Sequence, residues 1–293
     1  MGDNEIPIEE QSTYLVVPYF AGDKGRPGRE RPLPPASSPG VISWACPSIK
    51  VGGAPGTFVP GAPLSVTVTV ANYGAGTSVG IVNVAVWWSD PTTAFTQTHL
   101  HGQAVVAVPS QGGIATTKAI INTIPASAPS HICLLVRVSS PADTVPSGSP
   151  IDPVNDRHWA QLNLNAVPAP GGAFQFAFLA GNPLEEECIF ALRARPVAPR
   201  GVEALVDTIR AEPLFLEELG VDFVLLDEDG RPSGEEFTGR LALRPGESRK
   251  VLVGGQLPRE LAAGEFAAIE VVQECEERLI GSLGLVLTRE SER

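Results

Sequence analysis

Short segments in which apolar and polar residues alternate constrain the fold of this chain more than any other feature of its sequence. The clearest is Leu64–Ala71 (LSVTVTVA), where every second side chain falls on one face of an extended strand. Similar segments recur through the first half, each bounded by Pro, Ser or Gly. They are Ile42–Val51, Leu64–Ala71, Ile81–Ser89, Gly102–Val108, Thr116–Ile124, His131–Val138 and Trp159–Val167. This spacing predicts an antiparallel β-sandwich.

The second half of the chain repeats the pattern after a Pro- and Gly-rich boundary at Val167–Gly172 (VPAPGG). Its predicted strands are Phe174–Leu179, Cys188–Arg195, Val221–Leu226, Phe237–Leu243, Arg249–Val253, Phe266–Gln273 and Leu283–Thr288. Between them, Val202–Arg210 predicts one or two helical turns. The predicted fold is therefore all-β. It consists of two tandem immunoglobulin-like antiparallel β-sandwiches, at residues 41–168 and 169–293, after a Pro/Gly-rich N-terminal leader at residues 1–40.

Composition and charge narrow the classes of partner. Glycine (30 residues) and proline (28) make up about a fifth of the chain, which favours turns and short elements. Residues 1–168 hold 8 Lys and Arg against 10 Asp and Glu, a net charge of −2, whereas residues 169–293 hold 13 against 23, a net charge of −10. Nucleic acid would be repelled by the second half. No apolar run is long enough to predict insertion into a membrane.

The first 40 residues combine a Gly/Pro/Arg tract with one apolar segment, Tyr14–Phe20 (YLVVPYF). That segment predicts a short strand that docks on a neighbouring domain or another subunit, with Tyr14 and Phe20 as partner-binding residues. The N-terminus is acidic and has neither a basic region nor a small-residue cleavage site, so it does not resemble a Sec signal. We therefore expect synthesis in the cytoplasm, followed by release or by assembly on a particle or cell surface.

Residues 42–167 resemble one family of immunoglobulin-like domains. Pro60–Gly74 (PGAPLSVTVTVANYG) is followed by VNVAVWWSDP, ICLLVRVSSPAD and VNDRHWAQLNLNAV. This succession resembles the bacterial cell-adhesion-related (CARDB-like) group, with Asn72 and Gly74 at its characteristic turn and Asn155–Asp156 in its last hairpin. The resemblance implies an all-β module that mediates adhesion or spaces other domains and has no catalytic residues. The second half shows only a generic immunoglobulin-like pattern.

Adjacent tryptophans offer a candidate binding surface. Trp87 and Trp88 lie on one predicted strand, so one ring points inward and the other outward. The inward ring would be the core tryptophan of the sandwich. We assign the outward position to Trp88, which with Phe95 would form an aromatic platform for a protein or a glycan. The alternative is that these rings pack against the neighbouring domain or the leader.

Metal ligation has only weak candidates. His99 and His101 (THLHG) would point to the same face of a strand, and a complete site would need further donors such as His131, His158 or Asp156. Asp152, Asn155 and Asp156 are oxygen donors that suit calcium but lack the order of a calcium loop. Exposed histidines at a strand edge and an Asx-turn are the alternatives. We predict no metal and no cofactor.

Four cysteines are divided evenly between the two halves: Cys46 and Cys133, then Cys188 and Cys275. None belongs to a C-x-x-C pair, so zinc ribbons and thioredoxin chemistry are unsupported. The division permits one disulfide in each sandwich, and buried reduced thiols are the alternative.

Catalytic motifs are absent from the sequence. There is no G-x-S-x-G, no phosphate-binding glycine loop and no H-E-x-x-H. We therefore predict that the chain is not an enzyme but a protein-binding or adhesion module that acts through sandwich loops and edges. The alternative is a structural or accessory subunit of a larger bacterial or phage-tail-like assembly, in which the chain assembles with itself or with neighbours.

Overall fold

The structure is a computed structural model that describes residues 7–33, 41–52, 58–164, 166–235 and 237–289. It confirms the predicted all-β class of two immunoglobulin-like antiparallel sandwiches. The strands of the first sandwich are β1 (Leu15–Val16), β2 (Ile49–Val51), β3 (Pro63–Asn72), β4 (Val79–Ser89), β5 (His99–Pro109), β6 (Gly113–Thr116), β7 (Ile120–Thr123), β8 (Ile132–Ser139) and β9 (Trp159–Leu164). The elements of the second are β10 (Ala166–Pro168), β11 (Ala173–Gly181), β12 (Cys188–Pro196), α1 (Pro199–Ile209), β13 (Glu212–Pro213), β14 (Gly220–Leu225), β15 (Arg240–Leu243), β16 (Ser248–Gln256), β17 (Glu265–Cys275) and β18 (Arg278–Thr288).

The first sandwich encloses its core between two sheets. In one sheet β3 pairs with β1, β2, β6 and β7, and the other has the strand order β5-β4-β8-β9. Successive side chains of a strand point to opposite faces, so every second residue enters the core. Val66 and Val68 of β3 thus pack with Val82 and Val84 of β4, and all four are fully buried. The side chains between them on β4 point to the outer face of the β5-β4-β8-β9 sheet.

Residues 7–33 dock on the first sandwich through β1, and a neighbouring domain was one of the two docking partners predicted for the segment Tyr14–Phe20. β1 pairs antiparallel with the end of β3. Leu15 and Val17 are fully buried in the core between the two sheets. The physical reason is that the apolar side chains of this segment leave water by packing on their own chain. The other residues of the predicted leader lie outside the described residues.

A buried ion pair closes the loop that follows β1. The Arg31 guanidinium donates to the Asp23 carboxylate over 3.0 and 3.1 Å, and both side chains are almost completely buried. Asp23 also accepts hydrogen bonds from the N–H groups of Tyr19 and Gly25, each over 2.9 Å. Every charge taken out of water here therefore has a partner, which a stable buried ion pair requires.

Three predicted strands of the first half are shorter or divided in the structure, among them Trp159–Val167, which is divided between β9 of the first sandwich and β10 of the second. Only the last three residues of the predicted strand Ile42–Val51 pair with β3, because the start of the segment packs against the second sandwich. The predicted strand Thr116–Ile124 is divided into β6 and β7. At the break, Thr117 donates its N–H to the Val68 carbonyl and accepts the Val68 N–H on its hydroxyl.

The second sandwich packs β11-β16-β14 against a larger sheet with the order β10-β18-β17-β12-β15, in which β13 joins β17. Helix α1 covers part of the outer face of the larger sheet, burying Val202 and Leu205 against Phe266 of β17. It extends the predicted helical turns at their N-terminal side and ends at Ile209, where the next residue, Arg210, has a left-handed φ of 57°. No helix in the described ranges is long and apolar enough to cross a membrane.

The two sandwiches share a packed interface. Trp44, from the first, lies 2% exposed against Gly284 of β18, where an added Cβ would collide with the indole ring. The hydroxyls of Ser43 and Ser282 are 2.6 Å apart, and the Gln161 amide donates to the Ser282 carbonyl over 2.9 Å. The strands β17 and β18 are therefore buried on both faces, by their own core on one side and by α1 and the first sandwich on the other.

One of the two cysteine pairs forms a disulfide. Cys188 of β12 is bonded to Cys275 of the neighbouring strand β17, so the bridge lies within one sheet instead of crossing the sandwich. Cys46 and Cys133 are buried free thiols, and burial raises the pKa of each to about 12. At neutral pH both therefore stay protonated and act as small apolar residues.

Candidate functional site

The predicted aromatic platform of Trp88 and Phe95 is wrong, because both rings are buried. Alternation along β4 from Val82 places Trp88 in the core, 8% exposed, with its ring stacked on His99 at 4.4 Å between centroids. Phe95 packs into the core of the second sandwich and is 5% exposed. Trp87 is the tryptophan that reaches the outer face of the sheet.

The two predicted partner-binding aromatics of the N-terminal segment differ in exposure. Tyr14 is buried beneath Arg157, whose guanidinium carbon lies 3.6 Å from the ring centroid, so Tyr14 docks on its own chain. Phe20 is exposed, at 37%, and its role in binding a partner stays a prediction.

His99, His101 and Asp156, the three predicted metal candidates, do not form a shared site in the described ranges. His99 is exposed, His101 is buried, and burial lowers the pKa of His101. Asp156 pairs instead with the His158 ring and accepts the His158 N–H in an Asx-turn, and Asp152 accepts the N–H of Asn155. In the described part of the chain no group of three or more His, Cys, Asp or Glu side chains is placed to hold a metal.

A cluster of ionised groups ties β1 to the hairpin before β9. Arg157 forms two hydrogen bonds of 2.8 Å to the Asp143 carboxylate, and the His158 ring lies between Asp143 and Asp156. Asp143 also accepts the N–H of Leu15, and Arg157 donates to the Leu15 carbonyl. Burial alone would raise the pKa of Asp143, but the hydrogen bonds from His158 and Arg157 outweigh it and lower that pKa to about 2.

We expect the Asp143 cluster to weaken in acid. Because the folded state lowers the pKa of Asp143 from 3.8 to about 2, its ionised form stabilises the fold above pH 3.8. That contribution, about 2 kcal/mol by linkage, is lost as the pH falls through the folded-state pKa. Urea unfolding of the wild type and of Asp143→Asn should therefore show a difference in stability that narrows between pH 4 and pH 2. A difference that stays constant over this range would contradict the assignment.

The best candidate for a ligand site is a groove on the outer face of the β5-β4-β8-β9 sheet. One end of this face is covered by the second sandwich, which buries Cys133 and Leu135 of β8 in its own core cluster. The other end is open and holds a cavity of about 430 Å³, which we call the outer-sheet groove. The side chains that line it come from three strands: Asn83 and Ala85 of β4, Gln103 and Val105 of β5, and Arg137 and Ser139 of β8.

Arg137 stands at the junction between the open and covered ends of this face. Its guanidinium carbon lies 5.2 Å from the ring centroid of Trp87 and 5.5 Å from that of Trp159, distances typical of cation–π contact. The two indoles are themselves 5.6 Å apart, and Trp159 is only 3% exposed. The rings therefore fix the guanidinium and are not open for a ligand to stack on.

Large apolar side chains are exposed at the groove. Val105 lies in its lining and is 64% exposed, and Ile81 of β4 is 56% exposed on the same outer face. Asn83 is the cross-strand partner of Val105, and Ile81 that of Ala107. A polar side chain therefore lies beside an exposed aliphatic one at the pair Asn83 and Val105, and the next outward pair is apolar.

Sequence reasoning missed every residue of the groove. A signal existed in ICLLVRV, where Arg137 is the one charged residue of an otherwise apolar strand. Counting alternate positions from Val82 also separates the inward Trp88 from the outward Trp87. What the sequence did not supply was the position of the second sandwich, which decides how much of this face stays open.

No protein-family model matches the chain, and no curated protein sequence matches it. The similarity to CARDB-like domains therefore stays a prediction. Solved structures similar to the chain include the CupB6 tip adhesin from Pseudomonas aeruginosa, at 12% identity over 82% of this chain and 96% of that one, with a TM-score of 0.20. The BspA C-terminal domain of Streptococcus agalactiae has 9% identity, coverage of 82% and 98%, and a TM-score of 0.23.

A red sea bream transglutaminase is also similar, at 12% identity over 83% of this chain and a TM-score of 0.23, and the chain spans only 31% of the length of that structure. At these TM-scores the similarities carry no argument about function.

Proposed function

We propose that the chain is a non-catalytic binding module that holds a segment of another protein in the outer-sheet groove. The observation that carries the proposal is the groove itself, in which exposed aliphatic side chains and hydrogen-bonding groups stand side by side on rigid strands. Exposed apolar residues beside polar ones are typical of surfaces that bind proteins. The immunoglobulin-like fold supplies a stiff support for such a surface.

The chemistry of the lining favours binding over catalysis. Arg137 is the one ionisable side chain among the lining residues, and Ser139 is the one hydroxyl. In the described part of the chain Ser139 has no histidine or carboxylate within hydrogen-bond reach, so nothing there would activate it as a nucleophile.

The other predicted partners are less well supported. A glycan usually stacks on an exposed aromatic face, whereas Trp159 is buried and Trp87 carries Arg137 against its ring. Assembly by addition of the N-terminal strand to a neighbour would require Leu15 and Val17 to leave the core in which they are fully buried. A protein segment bound in the groove needs neither change.

The proposal can be tested by selecting peptides from a random nine-residue display library on the immobilised full chain. The test variant is Val105→Asp, and the matched control is Ile121→Asp, because Ile121 is equally exposed, at 64%, on the other sheet. We expect Val105→Asp to weaken binding of the selected peptides about tenfold or more, because a charge replaces an apolar contact. The control should bind like the wild type. Equal losses in both variants, or no selected peptide, would contradict the proposal.

A further inference from the structure

Arg137 is distinctive among the described arginines because it is partly buried without a carboxylate partner. Ten other arginines have a carboxylate oxygen within 4 Å. Five more lack one in the described ranges, and all of these are exposed to water: Arg29, Arg200, Arg210, Arg240 and Arg244. Partial burial of a charge is unfavourable unless a counter-charge compensates it. At Arg137 the described chain supplies none.

The hydrogen-bonding groups around Arg137 are also unpaired. Its Nε atom is buried and has no hydrogen-bond partner among the described residues. Within the same ranges the side chains of Asn83, Gln103 and Ser139, which line the groove beside it, form no hydrogen bonds within the chain, and those of Asn83 and Gln103 are exposed and open to a ligand. The two tilted indoles hold the guanidinium in place, and its terminal nitrogens, which unlike Nε are not among the buried atoms, form the set of donors that a planar acceptor can reach. A carboxylate fits that set with two parallel hydrogen bonds.

The residues around the groove limit the kind of ligand that can carry the carboxylate. Val105, exposed in the lining, favours a ligand that carries aliphatic side chains next to its acid. The strongly acidic second half, with a net charge of −10, repels acidic ligands, whereas residues 1–168 are near neutrality at −2. An acidic peptide is therefore directed to the first sandwich, where the unpaired Arg137 lies.

We infer that the outer-sheet groove recognises an acidic and aliphatic peptide segment of another protein, whose Asp or Glu side chain pairs with Arg137. This inference rests on the proposed function and specifies its ligand. Arg137 is then the residue that selects the ligand, and Val105 supplies apolar contact that does not depend on charge.

The probes are two display libraries of nine-residue peptides that are identical except for a fixed central Glu in one and a fixed central Gln in the other. On the wild-type full chain, the Glu library should be enriched about tenfold or more over the Gln library, because an unpaired charge in the groove gains its partner. Arg137→Gln should abolish this preference. Arg137→Lys should keep a weaker preference, since Lys retains the charge but loses the two parallel hydrogen bonds.

Arg231→Gln is the matched control, because Arg231 is exposed and its nearest carboxylate, that of Asp229, is 4.0 Å away. It should keep the full preference. The comparison of the two libraries on the wild type holds even if Arg137→Gln does not fold, which its unfolding midpoint will show.

The outcomes separate this inference from the proposed function. Equal enrichment of both libraries, with binding that Val105→Asp abolishes, would overturn the requirement for an acid and leave the groove as the binding surface. Enrichment of the Glu library that neither Arg137→Gln nor Val105→Asp affects would place the acid site elsewhere and overturn both. Self-association of the chain that is lost in Arg137→Gln would show that a second copy occupies the groove, which also overturns the inference.

Discussion

Replacing Asp23 with alanine is expected to lower the free energy of unfolding by about 3–5 kcal/mol, the usual effect of removing one partner of a buried ion pair. Arg31 would keep its charge in a site where its side chain is 1% exposed, and the N–H groups of Tyr19 and Gly25 would lose their acceptor. Urea denaturation followed by circular dichroism measures the change, using the transition that unfolds the first sandwich.

Asp229→Ala is the control for this experiment, because the carboxylate of Asp229 lies 4.0 Å from Arg231 and both side chains are mostly exposed. It should change stability by less than about 1 kcal/mol. A small effect of Asp23→Ala, similar to that of the control, would show that the loop after β1 contributes little to the folded unit.

Trp44→Ala is expected to destabilise the chain by a similar amount, about 3–5 kcal/mol, because it leaves a cavity the size of an indole between the two sandwiches. The ring packs in one cluster with Val202 and Leu205 of helix α1 and lies against the Gly284 position of β18. Thermal and urea unfolding should both report the loss. Limited proteolysis should show faster cleavage between the sandwiches.

Phe215→Ala provides the comparison for Trp44→Ala, since Phe215 is an aromatic residue that is 46% exposed. We expect a change of about 0.5 kcal/mol or less there. If Trp44→Ala were equally mild, the interface between the sandwiches would not be the packed contact described above.

The strands were predictable because each carries its pattern within a few residues. Leu64–Ala71 corresponds to β3, and Phe174–Leu179 lies inside β11, since in both segments alternation alone separates core from outer face. The apolar segment at Tyr14–Phe20 was also predicted to dock. The strand that it pairs with was not predicted, because Leu15 pairs with Asn72, a residue far along the chain, and local pattern carries no information about such a pairing.

The same limit explains what was missed at the site. The disulfide between Cys188 and Cys275 depends on the register of β12 against β17. The accessibility of Arg137 to a ligand depends on where the second sandwich packs. Both are properties of tertiary contacts. The assignment of Trp88 to the surface was a different error, because alternation from Val82 already placed that ring inside.

Binding in the outer-sheet groove is tested most directly by a nuclear magnetic resonance titration of the isotope-labelled chain with a selected peptide. The titration shows where the ligand lies. We expect shifts of backbone amides to concentrate at the groove, in residues 83–85, 103–105 and 137–139. Shifts that concentrate instead on the second sandwich, or on the outer face of β3, would contradict it.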